Sequence, residues 1–173
     1  EALENLEAIV RACHGIMVAR GDLGVEMAAE DVPAAQRRMT EAADRLDRIC
    51  IVATEMLESM IENSRPTRAE VSDVACAVRD CADAVMLSAE TSMGKHPFEV
   101  VATMARVLVA AEAEQARTGR LSEPACRRTE GGLTDVLALA ASMVSERVGE
   151  TVLAAATESG QTALFLSKSR PES

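Results

Sequence analysis

The sequence predicts an α/β fold built on a parallel sheet. Three short apolar runs, Gly15–Ala19, Ile49–Ala53 and Ala84–Leu87, carry that expectation. Being apolar on both faces, they suit strands covered by helices above and below. They also recur evenly, with Val18, Val52 and Leu87 lying 34 and 35 residues apart. Helical spacing fills the intervals, and a βα unit repeating at that interval fits either a doubly wound sheet or a (β/α)8 barrel.

The elements follow in order. Val32, Ala35, Met39, Ala42 and Leu46 fall on one helical stripe, with Asp31 and Pro33 as starting signals. Thr67-Arg68-Ala69-Glu70 reads as a capping box ahead of Val71, Val74, Ala75 and Val78. Pro97 opens a helix carrying Val101, Met104, Ala105 and Leu108. From Gln115 to Gly132 the chain turns polar and Arg-rich, with Pro124 and Gly131-Gly132, and reads as a linker. Beyond it, Leu133, Val136, Leu137, Ala140, Met143, Val144 and Val148 outline an amphipathic helix. Thr151–Ala156 reads as a strand leading through Thr157–Thr162 into another helix.

Composition narrows the function. Of 173 residues 48% are hydrophobic, yet only two are Phe and none is Trp or Tyr. The core must therefore come from Val, Leu, Ile, Met and Ala, a composition poor for an aromatic platform that stacks bases. A net charge of −10 argues against nucleic-acid or anionic-membrane surfaces, while leaving a local phosphate site open. Five cysteines with no C-x-x-C read as small buried thiols in a reducing compartment. No apolar run reaches the length of a membrane span and no signal peptide is visible. The opening Glu, in what reads as a helix, marks the chain as a piece of a longer protein.

Ligands of parallel α/β folds bind at the carboxyl ends of the strands. The polar residues there are Arg20-Gly21-Asp22, Thr54-Glu55, and Ser88 with Glu90. Asp22 is a hard oxygen ligand suited to magnesium. A short helix starting near Leu23 would leave the Gly21 and Asp22 amides free for an anion. Thr54 and Ser88 could bond a substrate or hold water for proton transfer, although Thr54 could equally cap a helix over Met56–Ile61. Metal beside an anion pocket points to phosphoryl transfer or enolate chemistry. Arg20-Gly21-Asp22 also spells an adhesion tripeptide, but that use needs an exposed loop and this one abuts a buried run. The Thr157–Thr162 loop, rich in Ser, Thr and Gly before a helix, could cradle a phosphate.

The segments "GIMVARGDLGVE", "ATEMLESM", "RPTRAEVSDVA", "DAVMLSAET" and "KHPFEVV" together resemble the pyruvate kinase family, in its order and spacing. "ATESGQTALFLSKSRP" resembles the start of that family's C-terminal domain. The resemblance implies that residues 1–115 are the last part of a TIM (β/α)8 barrel with parallel strands. Residues 116–132 would be a linker, and residues 133–173 the first part of a three-layer αβα effector domain.

It further implies transfer of the phosphoryl group of phosphoenolpyruvate to ADP, giving pyruvate and ATP in glycolysis, with Mg2+ and K+. By the same resemblance Asp22 ligates magnesium and the Gly21 and Asp22 amides hold the substrate carboxylate. Thr54 contacts substrate near the face that is protonated, and Ser88 and Glu90 belong to the proton relay. Arg20 links the site to a neighbouring subunit of a cytoplasmic homotetramer. Thr157, Ser159, Gly160, Gln161 and Thr162 form an effector loop.

The resemblance places the catalytic lysine, a second magnesium carboxylate, the potassium ligands and the nucleotide-contacting arginine outside these residues, so the chain alone is expected to be inactive. The alternative is a non-catalytic paralogue used for binding or assembly. Departures from the family pattern are Glu55 for Gln, Ala89 for Gly, Cys76 for Asn, Cys81 for Gly, and Asp47-Arg48-Ile49 for Gly-Lys-Pro. Glu158 and Gln161 depart from basic or neutral loop residues.

Overall fold

All three apolar runs form strands, paired in parallel: β1 (Gly15–Ala19), β2 (Ile49–Ala53) and β3 (Ala84–Met86). The structure, a computed structural model, describes residues 1–118, 132–149 and 152–171. Strand order is β1-β2-β3, with Gly15 opposite Ile49, Ala19 opposite Ala53, and Ala53 opposite Met86. This register ends all three strands at one rim. Strands added in sequence order suit both candidate architectures, so the choice between them rests on the relatives reported below.

Helices cover the sheet as the periodicity demands. A first helix, α1 (Leu6–Ala12), buries Val10 against Ala42 and Leu46. The crossover from β1 to β2 begins with a short helix, α2 (Arg20–Glu26), and continues with α3 (Val32–Arg45). Pro33 sits in the first turn of α3, where its missing N–H costs nothing. The crossover from β2 to β3 contains a short 3-10 turn, Glu58–Ile61, and then α4 (Arg68–Arg79). The capping box is complete: Thr67 Oγ1 accepts from the Glu70 amide, and the Glu70 carboxylate accepts from the Thr67 amide. After β3 come a single turn, α5 (Ala89–Ser92), and a long helix, α6 (Pro97–Thr118). The core is aliphatic, as the composition requires: Val18, Val52, Met56, Leu57, Met60, Val74, Val100 and Met104 are buried in one cluster.

The second segment departs from expectation. The α6 helix continues to Thr118, so residues 115–118 are helical rather than linker. Residues 119–131 and Thr151 lie outside the described part. Residues 152–156 join no strand, because a strand needs a neighbouring ladder and no other described residue offers one there. The helix α7 (Leu133–Val148) forms as its periodicity predicts, but its apolar stripe faces outward. Val136, Leu137, Met143 and Val144 are exposed, while Asp135, Ala138, Ser142 and Ser145 are buried. The following helix, α8 (Gln161–Lys168), packs against α7, and no described strand covers the stripe.

α8 is tied to the first segment by charge. Lys168 is 2% exposed and its Nζ donates to Asp83 Oδ2 at 2.6 Å, with Asp44 at 3.8 Å. Arg170 donates to the carbonyls of Cys81 and Ala82 and to Asp83 Oδ1. Asp83 Oδ2 also accepts from the Cys50 amide, so one carboxylate joins β2, β3 and the second segment at the amino ends of the strands. Burying such ions repays their desolvation only when every partner stays in place. Asp83→Ala strands Lys168 and is expected to cost about 3–5 kcal/mol. Urea denaturation measures it, and a loss under about 1 kcal/mol, the worth of an exposed pair, would place the junction in open solvent.

Two turns show how the chain absorbs its departures from the family pattern. Asp47 and Cys81 adopt positive φ, 52° and 64°, where the resemblance expects glycine. A left-handed L-residue costs about 1–2 kcal/mol, and glycine's extra freedom in the unfolded chain recovers about 0.5–1 of it. Cys81→Gly is therefore expected to stabilise by up to about 1 kcal/mol, read as a rise in Tm.

Burial pushes the Cys50 thiol up to about 12, and the adjacent Asp83 carboxylate adds to it. The unfolded thiol ionises near its ordinary 9.0 while the folded one holds its proton. Its contribution is thus complete below pH 9 and fades as pH rises toward 12. Denaturation curves across that range should flatten in Cys50→Ala relative to the parent.

Candidate functional site at the carboxyl rim

The rim is assembled by strand register. Because Ala19, Ala53 and Met86 are aligned, Arg20-Gly21-Asp22, Thr54-Glu55 and Leu87-Ser88 leave the sheet side by side. After β2 the backbone turns sharply: Thr54 and Glu55 take φ of 67° and 54°. Two successive left-handed non-glycine residues cost on the order of 1–3 kcal/mol each, and persist only where neighbours over-determine them.

Arg20 does most of that. It is 7% exposed. Its Nε donates to the Thr54 carbonyl at 3.2 Å, Nη2 to the Glu55 carbonyl, and Nη1 pairs with Asp73 Oδ2 at 3.2 Å. Within the chain these bonds hold the two carbonyls of the strained dipeptide, and a link to a neighbouring subunit remains what the resemblance implies.

The turn at β1 differs from expectation by three residues. α2 begins at Arg20 rather than near Leu23, which places Gly21 inside its first turn. The Gly21 amide donates to Thr54 Oγ1 at 2.8 Å, and that hydroxyl donates onward to the Ala53 carbonyl at 2.6 Å. The first turn of a helix leaves amides without intrahelical acceptors, and Thr54 supplies one. Thr54 caps this turn of α2, not the segment Met56–Ile61, which holds only the 3-10 turn. The Asp22 side chain is exposed.

The third part of the rim is built around Glu90. It is 2% exposed on α5, with Oε1 accepting from the Leu57 amide at 3.2 Å and Oε2 from the Ser88 amide at 2.7 Å. Gly94 allows α5 to close: a Cβ there would come 2.2 Å from the Glu90 carbonyl oxygen. Below the turn, Glu70 accepts from the Ser59 amide and hydroxyl, both at 2.6 Å. Burial pushes the Glu70 carboxyl up, but the hydrogen bonds from Ser59 and Thr67 outweigh it and hold it below its ordinary value.

The structure thus brings Arg20, Gly21, Thr54, Ser88 and Glu90 into one hydrogen-bonded rim, with Asp22 beside it. It does not bring the loop at 157–162 to that rim, since α8 is attached at the opposite end of the strands. In that loop Thr157, Ser159, Gly160 and Gln161 are exposed and Thr162 is half-buried. Gly160, at φ 83°, donates to Thr157 Oγ1 at 3.0 Å, and the Gln161 amide to Ser159 Oγ at 3.4 Å. Among the described residues no three His, Cys, Asp or Glu gather as a metal cluster. A single exposed carboxylate still fits magnesium, which takes one or two carboxylates and fills its remaining positions with water and phosphate oxygens. The roles of Leu57, Glu55 and Asp73 had no sequence signal, since two act through backbone atoms and the third lies 53 residues from its partner.

Comparisons with known proteins agree with this geometry. The family model described as the pyruvate kinase barrel domain matches residues 1–101. The pyruvate kinase of Mycobacterium tuberculosis (strain ATCC 25618 / H37Rv) is 50% identical over 168 residues, covering 97% of this chain and 34% of the relative. That of Corynebacterium efficiens is 51% identical over 169 residues, with the same coverage of each. A crystal structure of a pyruvate kinase from Cryptosporidium parvum superposes with a TM-score of 0.92 at 38% identity, over 98% of this chain and 34% of that one. The chain spans about a third of the length of these relatives. The parallel sheet is accordingly an arc of a (β/α)8 barrel rather than part of a doubly wound sheet, and the chain belongs to the pyruvate kinase family.

Proposed function

We propose that the protein carrying this chain transfers the phosphoryl group of phosphoenolpyruvate to ADP and protonates the resulting enolate to pyruvate. The observation that carries the proposal is the strand register, which sets Gly21 and Asp22, Thr54 and Ser88 along one rim. Bond breaking between phosphorus and the enol oxygen leaves an enolate, and the β-phosphate oxygen of ADP takes the phosphorus. The enolate then accepts a proton at its methylene carbon.

Asp22 would hold magnesium, and a bound magnesium ion would offset charge on the transferring phosphoryl and the enolate oxygen. The first-turn amides at Gly21 and Asp22 would hold the substrate carboxylate. That carboxylate competes with Thr54 Oγ1 for the Gly21 amide, so substrate binding releases the Thr54 hydroxyl toward the carbon that is protonated. Ser88 stands on the next strand as a second hydroxyl for the proton path. Potassium and the adenine nucleotide find no assigned ligand in this chain.

The parent enzyme of this reading is a cytoplasmic homotetramer; the chain's net charge of −10 disfavours polyanionic partners, and no described helix is long and apolar enough to cross a membrane. The loop with Thr157, Ser159, Gly160, Gln161 and Thr162 is the candidate effector loop, whose Glu158 disfavours a phosphorylated effector.

In the full-length protein Asp22→Asn removes the charge that holds the cation. Turnover is expected to fall about 100-fold or more, with the magnesium concentration for half-maximal rate rising in parallel. Unchanged kinetics would remove Asp22 from the metal site.

A further inference from the structure

We propose that Glu90 is a positioning residue, not a proton donor or acceptor: it holds the Thr54 turn from the side opposite Arg20. The inference rests on the pyruvate kinase reading and deepens it. Three observations converge. Glu90 is almost wholly buried, and each of its two oxygens takes a backbone amide, one on either side of the rim. A carboxyl that relays protons turns an oxygen to the reacting partner, and here each oxygen is directed at a backbone amide on a side chain buried from solvent. The amide it holds on the first side, that of Leu57, lies two residues beyond the left-handed pair Thr54 and Glu55. The carbonyls of that same pair are held by Arg20.

The turn is therefore gripped by charge complementarity to the backbone itself. A guanidinium takes its carbonyl oxygens and a carboxylate takes the amide two residues on. Met56 and Leu57, which follow the strained pair in the chain, are buried to 0% exposure in the aliphatic core. With the turn fixed, Thr54 Oγ1 sits at 2.8 Å from the Gly21 amide, at the place where substrate is expected. Through its second oxygen Glu90 also sets the Ser88 amide, so one buried side chain spaces both hydroxyl-bearing residues of the rim. Glu90 reaches the chemistry only through Thr54 and Ser88.

The test uses the full-length protein with Glu90→Gln, Glu90→Asp, Thr54→Val and the Glu90→Gln/Thr54→Val pair. Gln offers one acceptor and one N–H, so it opposes one of the two amides. Hydrogen exchange followed by mass spectrometry is expected to show the segment at 54–57 exchanging at least about tenfold faster in Glu90→Gln. Pyruvate formation from phosphoenolpyruvate, ADP and magnesium is expected to fall about tenfold or more in kcat, with a smaller change in KM. The kcat profile should keep both of its pH limbs, and the paired variant should be slower than Thr54→Val by a smaller factor than Glu90→Gln costs alone, the remainder passing through Ser88.

Loss of one limb would make Glu90 a proton-transfer group and overturn the proposal. Additive losses in the pair would also overturn it, as would unaltered exchange at 54–57. Should Glu90→Gln fail to fold, Glu90→Asp carries the same tests, since it keeps both acceptors and shortens their reach. A parent protein that forms no pyruvate overturns the function reading, whereas the exchange measurement decides the grip on the turn by itself.

Discussion

The structure depends on one guanidinium at the end of the first strand. Thr54 and Glu55 adopt backbone angles that L-residues avoid, and Arg20 makes that conformation stable by donating from a desolvated guanidinium to their carbonyls. A lysine could not do this, since a point charge lacks the planar set of donors that two adjacent carbonyls require. Everything at the rim follows from the turn: Thr54 reaches the Gly21 amide, Leu57 reaches Glu90, and Glu90 reaches Ser88. The partner Asp73 is half exposed and adds orientation more than energy.

Much of this was legible in the residues and some was not. The strands were readable because apolar runs of four or five residues with even spacing have few alternatives. The capping box at Thr67 was readable because it is closed within four residues. The rim was legible as a set of positions, since strand ends follow from strand assignments. Its bonding was not: Arg20 meets residues 34 and 35 positions away, and Lys168 meets one 85 away, where periodicity carries no information. The reading failed where local pattern lacked its tertiary partner. Thr151–Ala156 has the composition of a strand, but pairing is a property of two segments. The α7 stripe was correctly periodic, yet its direction depends on what lies over it.

The two ends of the sheet use opposite designs. At the carboxyl rim, charged side chains hold backbone groups and leave Asp22 and the hydroxyls of Thr54 and Ser88 near the surface. At the amino end, charges hold one another: Lys168 and Arg170 converge on Asp83, which also receives the Cys50 amide. The second arrangement buries the Lys168 ammonium and gives both Asp83 oxygens a cationic partner, which suits a joint. The first keeps one carboxylate outside the network, which suits a ligand site. The candidate site and the joint are thus separated along the strand axis.

That separation explains why departures from the family pattern fall where they do. Glu55 differs in its side chain, but Arg20 uses its carbonyl, so the turn is indifferent to the change. Ala89 opens α5 at the position where glycine is usual, while the close approach in that turn belongs to Gly94, which is retained. Asp47 and Cys81 carry left-handed angles at the amino end, away from the rim, where strain costs stability without displacing a reacting group. A site whose geometry is set by main-chain carbonyls and amides tolerates side-chain drift around it. What it cannot tolerate is loss of the few side chains that hold those main-chain groups, and in this chain Arg20 and Glu90 are both present.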